Sequence, residues 1–95
     1  MALAKSDDPD FYPYKLTPSL LSPSEKAFYV ALMLAAGRRY LVFPKVRLAD
    51  LCQDLDRWAG TEAFDLVSSK RVDFVLCDAK TFRPTLAIEL DDRSH

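Results

Sequence analysis

Cysteine occurs only twice in this chain, at positions 52 and 77, and histidine once. Cys52 and Cys77 do not stand at metal-ligand spacing, and two cysteines are too few for a disulfide framework. They read as two reduced thiols in a cytosolic protein. Small cysteines are most often inert packing, and that is the reading for Cys77 as well. Long hydrophobic runs are missing too. Nothing approaches the ~20 apolar residues of a membrane span, and the start has neither an apolar signal region nor a cleavage pattern, so a membrane is excluded as a partner. Charge of one sign is also lacking: 13 basic residues against 14 acidic give a formal net charge of −1. Bulk electrostatics therefore favours neither nucleic acid nor an anionic surface, and any such partner needs a local patch. Arg38-Arg39, Lys45 with Arg47, and Lys70-Arg71 are the candidate patches, although short basic pairs on a solvated face are common. There are no internal repeats and no low-complexity tract.

What is present is enough apolar material for a core. Hydrophobic residues make up 49% of the 95 and aromatics 12%, which argues for one small globular domain and against disorder. A domain of this size buries only roughly 60 to 65% of its unfolded surface, so its stability is expected to be modest. Residues 1–20 read as an irregular leader, with Pro9, Pro13 and Pro18 beside Asp7, Asp8 and Asp10, and residues 21–95 as the domain. Ser22-Pro23-Ser24-Glu25 is a helix start: Ser22 as N-cap, Pro23 at the first helical position, Glu25 closing a capping box. The helix should run to Ala36, with Phe28, Ala31, Leu32 and Ala35 as its core stripe and Gly37 as a left-handed stop. Glu25 then sits on the first turn, within reach of the sheet.

Strand character follows over Tyr40–Val42 and Lys45–Leu48, with Pro44 demanding an edge, a bulge or a bend. Val42, Val46 and Leu48 form the inward set. Residues 49–69 are ambiguous: Leu51, Leu55 and Trp58 fit a helical turn or two, Ala59-Gly60-Thr61 breaks it, and Phe64 with Val67 suits a second short helix. Two more strands close the chain, around Val72–Cys77 and from Leu86 onward, joined by a loop over Asp78–Pro84. The order helix, strand, helical insert, strand, strand is an α+β (mixed α/β) fold, with the N-terminal helix covering a small antiparallel sheet.

The last two strands carry the chemistry. Strand side chains alternate faces, so Asp73 shares a face with Val75 and Cys77, while Glu89 and Asp91 share one with Ala87. The opposite faces are wholly apolar, through Val72, Phe74 and Leu76 and through Leu86, Ile88 and Leu90. In a hairpin centred on Thr81, Asp73 falls opposite Glu89, with Cβ atoms roughly 4.5 to 5.5 Å apart. Like charges so placed repel, so a cation, a shared proton or solvent exposure belongs to the account. A single strand Asp is commonly a solvated residue or the partner of a lysine, and a lone terminal histidine commonly does nothing. Three acids on one face of adjacent strands, backed by a continuous apolar face, have few purely structural explanations. Two facing carboxylates suit a hard divalent ion such as Mg²⁺ or Mn²⁺, which takes oxygen ligands and keeps several waters. Asp91, about 6.6 Å further along the strand, can support such a site. His95 can move a proton or ligate metal. For Glu25 the capping box is already a sufficient structural reason.

Four stretches carry a resemblance: Leu21–Tyr29, Phe43–Asp50, Lys70–Asp78 and Ile88–His95. Together they resemble a bacterial domain-of-unknown-function family, number 2726, which is grouped with the restriction-endonuclease-like PD-(D/E)XK nucleases near the very-short-patch-repair endonucleases. The resemblance implies a metal-dependent phosphodiesterase fold acting on nucleic acid, DNA before RNA. It matches Asp73 and Glu89 to the metal-binding acids and Glu25 to an acid on the first helix. Asp91 stands where the classical nuclease motif has lysine, and the resemblance implies Lys70 as a migrated basic group and, from the histidines used in the repair-endonuclease branch, His95 as the candidate for proton transfer. The fold so implied continues past residue 95, so the chain reads as a fragment that is inactive alone, with an open sheet edge through which two copies would pair. The competing expectation is a noncatalytic module that binds nucleic acid or protein and keeps the nuclease fold, its acids solvated or paired with Lys70 and Arg71.

Overall fold

The computed structural model describes residues 17–90. Helix α1 spans Pro23–Ala36. Strand β1 follows over Tyr40–Arg47, then two short 3-10 turns at Leu48–Leu51 and Leu55–Trp58. Helix α2 covers Glu62–Ser68, and strands β2 (Arg71–Asp78) and β3 (Pro84–Ile88) complete the described chain. The sheet has the order β1-β2-β3, antiparallel throughout, so β2 is central and the other two strands are edges. The α+β reading, with a helical insert between the first two strands, holds for the described residues.

The start of α1 is the capping box that its sequence spells out. The Glu25 N–H donates to Ser22 Oγ at 3.2 Å, and the Ser22 N–H donates back to Glu25 Oε1 at 2.8 Å. Its end differs in detail from expectation. Gly37 does take a positive φ of 61°, but with ψ at −137° it lies outside the left-handed helical well. That region is open essentially to glycine alone. The inward stripe of α1 is also rotated from the one expected: Phe28, Tyr29 and Leu32 are half-buried and Ala36 is buried, while Ala31 and Ala35 are exposed. The aromatic rings decide this rotation. Phe28 and Tyr29 both sit over Phe74 of β2, with ring centroids 5.5 and 6.3 Å away, an apolar contact that two alanine methyls cannot match.

The core centres on β2. Phe74 and Val75 are 0% and 1% exposed and Cys77 is 6% exposed, although Phe74 points to the opposite face from the other two. The face that carries Asp73 is therefore closed over along most of its length. Phe43 and Ala87 flank Val75 across the sheet. Phe82, from the β2–β3 turn, brings its ring to 6.2 Å from that of Phe43. Buried Cys77 lies in this layer and Cys52 is exposed; both are free thiols.

Pro44 keeps β1 at the edge, as its missing N–H requires. The strand is continuous across it, but Lys45 adopts φ 52°, and neither Lys45 nor Asp73 takes part in the register that runs from Pro44↔Phe74 to Val46↔Val72. In the ambiguous middle, Thr61 caps α2: its Oγ1 accepts from the Phe64 N–H at 3.1 Å and its hydroxyl donates to the Trp58 carbonyl at 2.6 Å. Among the described residues no helix is long and apolar enough to cross a membrane.

Candidate functional site

Between β2 and β3 the partners are Phe74↔Ile88, Val75↔Ala87 and Leu76↔Leu86, with a shift between Leu76 and Cys77. The hairpin centred on Thr81 is thus the one present over those pairs, and the bulge confines the slip to the end next to the turn. Carried one step beyond Ile88, the same register sets Glu89 across from Asp73. The chain stays beside β2 there: the Leu90 N–H donates to Asp73 Oδ2 at 2.7 Å. Asp73 is half-buried and has one oxygen committed to the backbone, while Glu89 is exposed.

On its other side Asp73 meets the kink in β1. Continuing that ladder by number would place Lys45 against Asp73, but the left-handed backbone at Lys45 removes it from the pairing. The Lys45 ammonium instead lies 3.8 Å from Glu25 Oε1. Glu25 is therefore held from two directions, by the capping box and by Lys45. The Ser22 N–H, above all, lowers its pKa below the ordinary glutamate value; burial opposes it as the next-largest influence, and the Ser22 hydroxyl and the Lys45 charge add smaller effects in the lowering direction. Sequence reasoning does not find the Lys45 partnership, because a positive φ at a non-glycine residue leaves no mark in the sequence.

Lys70 is exposed and its backbone ties the two ends of the helical insert together: its N–H donates to the Val67 carbonyl at 3.3 Å, and its carbonyl accepts from the Leu48 N–H, just after β1, at 2.9 Å. Asp91 and His95 lie outside the described residues. Among the described residues no group of three or more His, Cys, Asp or Glu side chains stands close enough to hold a metal ion. The observed pairing ends at Ile88, so Glu89 falls opposite Asp73 only on extending the register by one step, and Glu25 has partners of its own at the head of α1.

A helix laid over a three-stranded antiparallel sheet, with an acid in the central strand and another just past the end of its neighbour, defines a small α+β domain. The model of a family described as "Protein of unknown function (DUF2726)" matches residues 17–95, and the chain belongs to that family. No curated protein and no solved structure matches the chain.

Proposed function

We propose that this domain derives from, and works as, a metal-dependent phosphodiesterase of the restriction-endonuclease-like kind, acting on DNA. The observation that carries the reading is the β2–β3 register, which leads Glu89 across from Asp73 while the Leu90 N–H holds the Asp73 carboxylate in place. Two facing carboxylates fit the donor set of Mg²⁺ or Mn²⁺, hard ions that bind through one or two carboxylates and retain water. Asp73 and Glu89 would hold the ion, which when bound supplies charge neutralisation at a phosphodiester and a more acidic water. Asp73 presents its remaining oxygen, and Glu89 supplies a solvent-facing carboxylate. Asp91 supports the pair, His95 carries the proton, and Lys70 is the basic group in place of the motif lysine. Calorimetric titration with Mg²⁺ or Mn²⁺, run beside plasmid cleavage on the complete protein, tests this. Saturable binding lost in Asp73→Ala and Glu89→Ala, together with cleavage, is the expected result; absent binding, or cleavage that survives both substitutions, defeats it.

A second reading is favoured by the state of Glu25. Its carboxylate closes the capping box and faces Lys45, which is a structural assignment and leaves it little freedom to join a metal site. A noncatalytic module that keeps the nuclease fold and binds nucleic acid or protein would look the same at this residue. Binding that is independent of metal and steep in salt, without cleavage, would select it.

A further inference from the structure

At the far end of β2 from Asp73, two segments remote in sequence meet. The turn after α1 brings Arg38 and Arg39, and the β2–β3 turn brings Lys80; the Ala79 N–H donates to the Arg39 carbonyl at 2.9 Å and fastens one turn to the other. Between them is a cavity of about 310 Å³ lined by Arg38, Arg39, Asp78, Ala79 and Lys80. Three cations thus face one carboxylate. That carboxylate is already engaged: Asp78 Oδ1 accepts from the Lys80 N–H at 2.8 Å and the Thr81 N–H at 3.0 Å. These amides, that of Thr81 first, hold the Asp78 pKa below the ordinary aspartate value, so it stays an anion fixed to the turn, and the lining carries three cations against its single negative charge.

Phe82, on the same turn, is 59% exposed and held at φ 63°, a conformation a bulky residue rarely adopts. It borders a second, more apolar cavity of about 440 Å³ that also includes Gly37 and Tyr40, the residues flanking Arg38-Arg39. A cationic cleft and an aromatic one therefore adjoin at one end of the sheet.

We propose that this end of the sheet grips a nucleic-acid strand, with Arg38, Arg39 and Lys80 on successive backbone phosphates and the Phe82 ring as a stacking platform for a base. Guanidinium forks match phosphate oxygens in pairs, and an exposed ring beside such a track accepts any base. An acidic peptide would use the cations and leave the ring without a role. The net charge of −1 gives no general attraction for polyanions, so the affinity must come from a local patch, and this one adjoins an exposed ring. The five residues from Asp73 to Asp78 separate the cleft from the acids by about 17 Å along the strand. A strand of a few nucleotides spans that distance, so one strand can reach both. The grip extends the reading of the acids as a phosphodiesterase site and does not depend on it.

The test is fluorescence anisotropy of a labelled single-stranded oligodeoxynucleotide with the 95-residue chain, in EDTA, across a salt series. The wild type should bind, with an affinity that falls steeply with salt. Arg38→Glu with Lys80→Glu should weaken binding at least tenfold and reduce the log–log salt slope by about 1.4, at ~0.7 for each single-strand phosphate that is no longer neutralised. Phe82→Ala should weaken binding roughly fivefold to a hundredfold and leave the slope unchanged. Thermal melts by circular dichroism confirm that these surface variants fold. No binding by the wild type, binding indifferent to the charge reversals, or preference of the same residues for anionic phosphatidylglycerol vesicles would overturn the proposal. EDTA removes metal, so binding is read apart from cleavage: a chain that binds in EDTA, beside a complete protein that neither binds Mg²⁺ nor cleaves with it, keeps the grip and loses the phosphodiesterase reading; a complete protein that cleaves with Mg²⁺ while binding is indifferent to these substitutions does the reverse.

Discussion

Single residues divide here into those that hold the fold and those that shape the candidate site, and Phe74 belongs to the first group. It is wholly buried under Phe28 and Tyr29, so Phe74→Ala removes a ring and leaves a cavity; a destabilisation of about 3 to 5 kcal/mol is expected in urea unfolding. For a domain of this size that approaches the whole stability. Asp73 belongs to both groups. Asp73→Ala strips the Leu90 N–H of its acceptor, and hydrogen exchange at that amide should quicken while exchange at Phe74 and Val75 changes much less. Asp73→Asn keeps an acceptor oxygen and should largely restore protection at Leu90, yet it removes the charge that the proposed metal binding would require. Comparing the two substitutions separates the structural duty of this residue from its chemistry.

Among the elements, α1 shows the strongest link between local sequence and stability. Ser22→Ala opens the capping box and should cost about 1 kcal/mol, read as a lower melting temperature. The Glu25 carboxylate adds a pH dependence whose sign is fixed. Its folded pKa lies below the unfolded one, so its stabilisation is complete above the ordinary glutamate range, about pH 4.3, and is lost as pH falls through the lowered folded value. Wild type and Glu25→Gln should therefore converge in melting temperature on acidification and diverge again toward neutral pH. The start of this helix is fully legible in the sequence because capping joins neighbours in the chain. Its inward face is not, because the ring-on-ring packing against Phe74 is tertiary and alanines carry almost no signal of direction. The strands follow the same division. Alternation and the central Thr81 locate the β2–β3 register, while the left-handed backbone at Lys45 and the bulge at Leu76/Cys77 depend on packing across the sheet. The register that leads toward a facing pair of acids is readable for that reason, and the meeting of Arg38-Arg39 with Lys80 is not: it joins two turns some 40 residues apart in sequence.

For the whole molecule, the three-stranded sheet leaves two edges, and they differ in character. β1 carries Pro44, which brings no N–H, and Lys45, whose backbone bends out of the ladder. β3 has its proline, Pro84, only at its first residue and no positive-φ break within it, and Leu86 on it is 54% exposed. Self-association, if the chain pairs with itself, should run through β3. Leu86→Lys should then lower the apparent mass in sedimentation at high protein concentration, whereas a second charge introduced by Val46→Lys on β1 should do so far less. The kink at Lys45 acquires from this a meaning separate from its ion pair with Glu25. It makes the sheet one-sided with respect to growth: any strand added, from this chain or another, would extend the side that bears Glu89, so enlarging the sheet would also build walls around the acids.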